Sequence, residues 1–325
     1  MDKLSVREYL AGDLARVNGL MRESLSSDIE LLDKTNDAIM QNSGKQLRPI
    51  LALLVAKACG SLTDDSIRFA AATELLHNAT LLHDDVADNS PTRRGAPTTM
   101  SILGSRASVL LGDYWLVKAV DRILQAENES GTVVRLFART LSDLAEGEML
   151  QLQKAVSGDT DENDYLRIIY NKTASLFVVA AEAAAISVKA PAEYMEAVGR
   201  YAKALGLAFQ IKDDIFDYQD NASTGKPSGQ DLQERKITLP LLGALDNVPE
   251  AKAGEVRKMV SGILAHPEYQ PQIVEFVKRN GGIAYAQKRL EDFLAEARGA
   301  IAVLPDSIDK EYLMVLTDFV SKRKS

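Results

Sequence analysis

One five-residue acid pattern occurs twice, as Asp84-Asp85-Val86-Ala87-Asp88 and as Asp213-Asp214-Ile215-Phe216-Asp217, inside segments that otherwise read as long apolar helices. In each copy the first and last Asp are four residues apart, so on a helix they share one face, about 6 Å apart along the axis. Carboxylates placed in this way repel each other unless cations bridge them. If the two helices faced each other across a cleft, they would form a magnesium-loaded mouth for a polyanionic ligand, most simply a diphosphate. The competing reading is two solvated acidic turns, and the surroundings must decide.

Basic residues flank both copies. Arg93 and Arg94 follow the first, and Lys226, Arg235 and Lys236 follow the second. Acid alone would suit calcium. Acid beside Arg and Lys suits a ligand whose phosphates are shared between metal ions and charge-assisted hydrogen bonds, with mutual surface salt bridging as the plainer alternative. The turn Gly44-Lys45-Gln46-Leu47-Arg48-Pro49 sets two more cations ahead of an apolar helix and offers a place for a second anion.

These groups need long helices to position them. No Gly or Pro interrupts Ser61 to Ser90, where Ile67, Ala71, Leu75, Ala79, Leu82 and Val86 form one helical stripe that Pro91 stops. Glu74, His77, Leu81, Asp84 and Asp88 share another face, so His77 lies two turns below the acid pair; a lone His is as readily an ordinary packed residue. A second long helix starts near Pro191 and ends before Gly225, with Gly206, Gln210, Asp213, Asp217 and Asp220 on one face. Alternating strand patterns are absent, and breakers recur at intervals that predict roughly ten or more helices in a single all-α domain spanning 1–325.

Composition narrows the partners. A net charge of -8 and a pI near 5.1 argue against a general nucleic-acid binder. Cys59 is the only cysteine, which excludes intrachain disulfides and fits a reducing, cytoplasmic setting. The charged start predicts no export signal. The most apolar stretch, Ala174 to Ala190, carries Glu182 and Lys189 and predicts a buried helix, not a transmembrane segment.

Taken together, GKQLRP at 44–49, ELLHNATLLHDDVADNSPTRRGAPT at 74–98, LLGD at 110–113, EGEMLQL at 146–152, KTASLF at 172–177, FQIKDDIFDY at 209–218, GKPSGQDL at 225–232, KITLP at 236–240 and GGIAYA at 281–286 resemble the all-trans polyprenyl diphosphate synthase family over nearly the whole chain. The resemblance implies a large helical bundle of isoprenoid synthase type around a central cavity, usually a homodimer, with the acid patterns facing across its mouth. It implies several Mg2+ ions held by Asp84, Asp88 and Asp213, with Asp85, Asp214 and Asp217 in support. Arg93, Lys172, Thr173, Gln210, Lys226 and Lys236 match the family's allylic diphosphate site, while Lys45, Arg48, His77 and Arg94 match its isopentenyl diphosphate site. Departures are Gln46, where a basic residue is common, Met100, where Asn is common, and Arg235, where Gly is common.

In such an enzyme the neutralised diphosphate departs to leave an allylic cation, which the double bond of isopentenyl diphosphate attacks; loss of a proton then gives a chain one unit longer. The cavity floor sets product length. Ala79 and Thr80 are small where the family uses an aromatic residue to stop growth early, so a long all-trans product is expected. Leu76 and Phe137 are candidate floor residues, with ordinary core packing as the competing reading. Lys322-Arg323-Lys324 is read as a solvated tail in preference to a cover over the site.

Other classes fit less well. A di-iron carboxylate bundle needs two Glu-x-x-His elements, and only Glu74 with His77 supplies one. A terpene cyclase handles one diphosphate and would not need two anion cradles. A geranylgeranyl or farnesyl diphosphate synthase, or the non-catalytic subunit of a heteromeric synthase, stays open as an alternative, although the intact acid patterns favour an active enzyme.

Overall fold

The computed structural model describes residues 5–42, 44–93, 95–127, 130–219 and 229–323. Arg94, Asp220, Lys226 and Lys324 lie outside the described residues. Among the described residues seventeen α-helical segments account for nearly all regular structure, and the strands are two residues each, Thr92–Arg93 paired antiparallel with Ala96–Pro97. The all-α expectation holds. Among the described residues no helix is long and apolar enough to cross a membrane.

The chain forms two compact units, and most of the boundaries between them fall inside helices, such as Ser130–Ser157 and Ala192–Asp217. In the unit built from 1–138, 179–198 and 304–313, the helix Asp64–Ala87 is the central element. It packs most extensively on Ser105–Leu124 and also on Leu47–Cys59. Thr63 starts it with a reciprocal capping box to Ser66, and Ser66 in turn bonds Ser187 across the unit at 2.6 Å. Asn89, at φ 48°, and then Pro91 end it. Close approach to Ser105–Leu124 requires Gly112, where a Cβ would lie 2.2 Å from the His83 ring. The fully buried Trp115 fixes a third helix by donating to Asn36 Oδ1 at 2.8 Å.

In the unit built from 139–178, 199–303 and 314–325, Leu239–Asp246 is buried almost throughout and packs on Gly282–Ala300. The apolar run read as one helix from Ala174 begins differently. Tyr170–Ala174 forms a π-helical turn, after which regular helix runs from Ser175 to Ser187. Such turns are uncommon, and they recur where a helix must aim particular side chains. This one carries Lys172 and Thr173. Gly206 and Gly147 lie against it: a Cβ on Gly206 would sit 2.6 Å from Ala174 Cα, and one on Gly147 would sit 2.6 Å from Asn171 Cβ.

Candidate active site

Both acid patterns occupy the final turn of a long helix. Asp84 and Asp85 lie in the last turn of Asp64–Ala87 with Asp88 as its C-cap, and Asp213, Asp214 and Asp217 close Ala192–Asp217. Neither last turn contains a basic residue. A helix C-terminus carries partial negative charge, so carboxylates there compound an unfavourable field that an external cation relieves. This placement fits divalent metal ions.

Within each pattern the Asp residues do different jobs. In the first, Asp85 is buried and accepts from Arg93 Nε at 2.7 Å, which ties the hairpin back to the helix. Thr98 secures the same loop, its hydroxyl donating to Ser90 C=O at 2.8 Å. Asp84 is half-buried and Asp88 exposed. Lys45 is exposed and Arg48 half-buried, around the start of Leu47–Cys59. Gln46, one of the departures, turns inward with φ 48° and donates to Asn18 Oδ1 at 2.7 Å, so its side chain serves the fold.

In the second pattern Asp214 is buried and receives Tyr165 Oη at 2.7 Å and Gln210 Nε2 at 2.9 Å. Gln210 Oε1 accepts from the Thr173 hydroxyl at 2.7 Å, so three of the expected residues form one continuous relay. Burial pushes the Asp214 carboxyl up to about 6 even though both hydrogen bonds favour its charged form. Asp217 accepts the backbone N–H groups of Gln230 and Asp231 at 2.9 and 3.1 Å, and so anchors the chain that returns to the site. Burial raises its carboxyl too, against those hydrogen bonds. Lys172 pairs with Glu148 Oε2 at 2.5 Å, and Lys236 pairs with Glu234. Arg235, where the resemblance leads one to expect Gly, has φ 57°, the left-handed region that glycine enters without cost. Among the described residues no three His, Cys, Asp or Glu side chains converge closely enough to hold a metal ion by themselves.

The polyprenyl synthetase family model matches residues 29–277. The chain is 37% identical over 317 residues to an all-trans-nonaprenyl-diphosphate synthase (geranyl-diphosphate specific) of Rhodobacter capsulatus, covering 97% of this chain and 96% of that protein. It is 35% identical to the octaprenyl diphosphate synthase of Escherichia coli K12, covering 99% of each. The chain belongs to the polyprenyl synthetase family. Among solved structures, a polyprenyl synthase from Caulobacter crescentus CB15 complexed with calcium and isoprenyl diphosphate is 32% identical, with TM-score 0.89 over 98% of this chain and 97% of that one.

As a polyprenyl synthetase, the chain shows one arrangement opposite to the favoured sequence reading. Arg323 is not part of a solvated tail: its side chain is 4% exposed, and Nη2 lies 2.8 Å from Asp213 Oδ1. The reason is aromatic. Its guanidinium stacks 3.9 Å from the Phe209 ring centroid and Nη2 donates to Phe209 C=O at 2.6 Å. Lys322, next to it, is exposed and pairs with Asp318. Tyr165 and Glu148 are further residues the sequence reading missed. Glu148 stands in the quoted EGEMLQL run, so a charge search of that run could have raised it; Tyr165 carries no local signal. Of the proposed floor residues, Leu76, Ala79 and Phe137 are buried, and Thr80 donates its hydroxyl to His77 C=O at 2.8 Å.

Proposed function

We propose that this chain condenses an allylic diphosphate with isopentenyl diphosphate, repeatedly, to give a long all-trans polyprenyl diphosphate. The observation that carries the reading is the placement of both acid patterns at the negative ends of long helices, each with basic residues close by in the chain, in a member of this family. Asp84, Asp88 and Asp213 hold Mg2+, which, when bound, neutralises the departing diphosphate. Magnesium suits these residues because it keeps several waters, so one or two carboxylates per ion, completed by substrate phosphate, are enough.

The chain's own residues do the rest. Arg93, Lys172, Thr173, Gln210, Lys226 and Lys236 grip the allylic diphosphate, and Lys45, Arg48, His77 and Arg94 hold isopentenyl diphosphate. Asp85, Asp214 and Asp217 hold their neighbours in position. Apolar walls keep water from the allylic cation, and a small residue pair, Ala79 and Thr80, leaves room for growth beyond short products. Leu76 and Phe137 lie deeper as floor.

The two units act as one domain. The working form is a cytoplasmic homodimer, a reading supported by Leu110, Val117 and Leu124, which are 59%, 64% and 60% exposed at heptad spacing along one helix. The test is to incubate purified protein with Mg2+, labelled isopentenyl diphosphate and a series of allylic primers, and to size the products. Long products are expected. Products that stop at farnesyl or geranylgeranyl length would move the assignment to the short-chain alternative, and no elongation with any primer would favour a non-catalytic subunit. Asp84→Ala and Asp213→Ala should each nearly abolish turnover with helical circular dichroism intact, and wild-type rates in either would overturn the metal assignment.

A further inference from the structure

Arg323 is built into the second acid pattern and does not merely lie near it. Phe209, Asp213 and Phe216 follow one another at i, i+4 and i+7 on the helix, so they line one face. The guanidinium uses all three: it stacks on Phe209, lies 5.5 Å from the Phe216 centroid and donates to Asp213 Oδ1 at 2.8 Å. Its remaining directed bond goes to Phe209 C=O. Asp213 keeps 42% of its side chain exposed, so a second cation can approach the same carboxylate from solvent.

We infer that Arg323 is an internal counter-cation that competes with the divalent ion for Asp213, so that metal loading of the second pattern becomes conditional on diphosphate. The inference rests on the reading of Asp213 as a metal ligand. A metal ion that takes this carboxylate meets a guanidinium a few ångströms away, and two positive charges on one carboxylate repel. The stacking and the carbonyl bond resist the movement of Arg323 that would relieve the repulsion. A bound diphosphate supplies the missing negative charge, so ion and anion arrive together. Arg323 is thus a positioning residue for Asp213: it holds the carboxylate before metal binds and prevents ions from filling the site without substrate.

The test measures Mn2+ binding to substrate-free protein by the loss of the free-ion EPR signal, with and without inorganic diphosphate. Arg323→Met should bind the Asp213-dependent ion about tenfold more tightly than wild type in the absence of diphosphate, and the tightening produced by diphosphate should shrink by a similar factor. Arg323→Lys keeps the charge but loses the planar stack and fork, and should shift affinity in the same direction by about threefold. Unchanged or weaker Mn2+ binding in Arg323→Met would overturn the inference. If that variant loses its helical circular dichroism, an unchanged Arg323→Lys would do so instead. Asp213→Asn separates the two readings: if it binds Mn2+ as wild type does, the metal-ligand assignment itself fails.

Discussion

Replacing Gly147 with alanine tests whether the π-helical turn at Tyr170–Ala174 aims Lys172, one of the residues proposed to grip the allylic diphosphate. The new Cβ would lie 2.6 Å from Asn171 Cβ, 3.0 Å from Lys172 Cγ and 3.2 Å from Lys172 N, whereas ordinary contact begins at 3.4 Å. Asn171 must therefore recede by about 0.8 Å, the difference between 3.4 and 2.6 Å. The turn is held at a second point, where Ala174 meets Gly206, so the displacement falls on Lys172 and Thr173. Two stability effects oppose each other: alanine gains about 1 kcal/mol over glycine in a helix interior, and overpacking costs about 1–3 kcal/mol. The net loss is about 2 kcal/mol at most. Positioning is less forgiving, since a misplacement of about 1 Å can cost roughly 100-fold in rate, equivalent to about 2.7 kcal/mol. Activity should therefore fall by more than the loss of folded protein accounts for. The assay is incorporation of labelled isopentenyl diphosphate, with thermal melting by circular dichroism on the same preparation. A variant with wild-type kcat/KM, or one whose activity falls only in step with its folded fraction, would refute the reasoning.

Three further outcomes are expected. Ala79→Phe, at a buried position, should shorten the product as sized by reversed-phase chromatography, and an unchanged distribution would mean that the limiting wall lies elsewhere. Arg93→Met leaves the buried Asp85 carboxylate without its guanidinium and should lower stability by about 2 kcal/mol, with Asp85→Asn restoring most of it in the double variant; chemical denaturation reads both, and purely additive losses would contradict the pairing. Asp214 has a folded-state value near 6, above its ordinary 3.8, so the folded protein binds the extra proton and loses stability as pH rises from about 4 through about 6. In metal-free buffer, the melting temperature of Asp214→Asn relative to wild type should therefore rise over that window and level off above it, and a pH-independent difference would sink the assignment.

The long helices were legible because the apolar stripe from Ile67 to Val86 repeats at helical spacing and ends at a proline, so local periodicity and local stop signals agree. The helix observed at Asp64–Ala87 lies within the predicted Ser61–Ser90. The helix from Pro191 was legible from its proline start and from the shared face of Gly206, Gln210 and Asp213, and it ends at Asp217, ahead of the breakers from Gly225. The π-helical turn was not legible, because nothing within Tyr170–Ala174 demands it; its neighbours include two glycines, Gly147 and Gly206, that are remote in sequence. Arg323 was misread because a short basic run next to polar residues is usually solvated, and its aromatic seat lies more than a hundred residues away. Arg235 and Gln46 stand at positive φ, which no local rule assigns to either side chain.

Helix geometry alone separates each inner Asp from its outer neighbour, but it does not single out Asp217, which shares a face with Asp213 and yet accepts the backbone N–H groups of Gln230 and Asp231. Neighbouring residues on a helix point about 100° apart, so Asp84 and Asp85 cannot serve one ion in the same way, whereas Asp84 and Asp88 can. The same holds for Asp213 and Asp214. In the structure each inner Asp takes a fixed donor, Arg93 for Asp85 and the Tyr165 and Gln210 pair for Asp214. An inner Asp therefore fixes the last helical turn, and with it the direction of the outer carboxylate beside it. On this account amide replacement should have unequal effects within one pattern. Asp84→Asn removes a charge that the metal needs, whereas Asp85→Asn loosens the aim of a charge that remains, so added Mg2+ should restore the second variant and not the first.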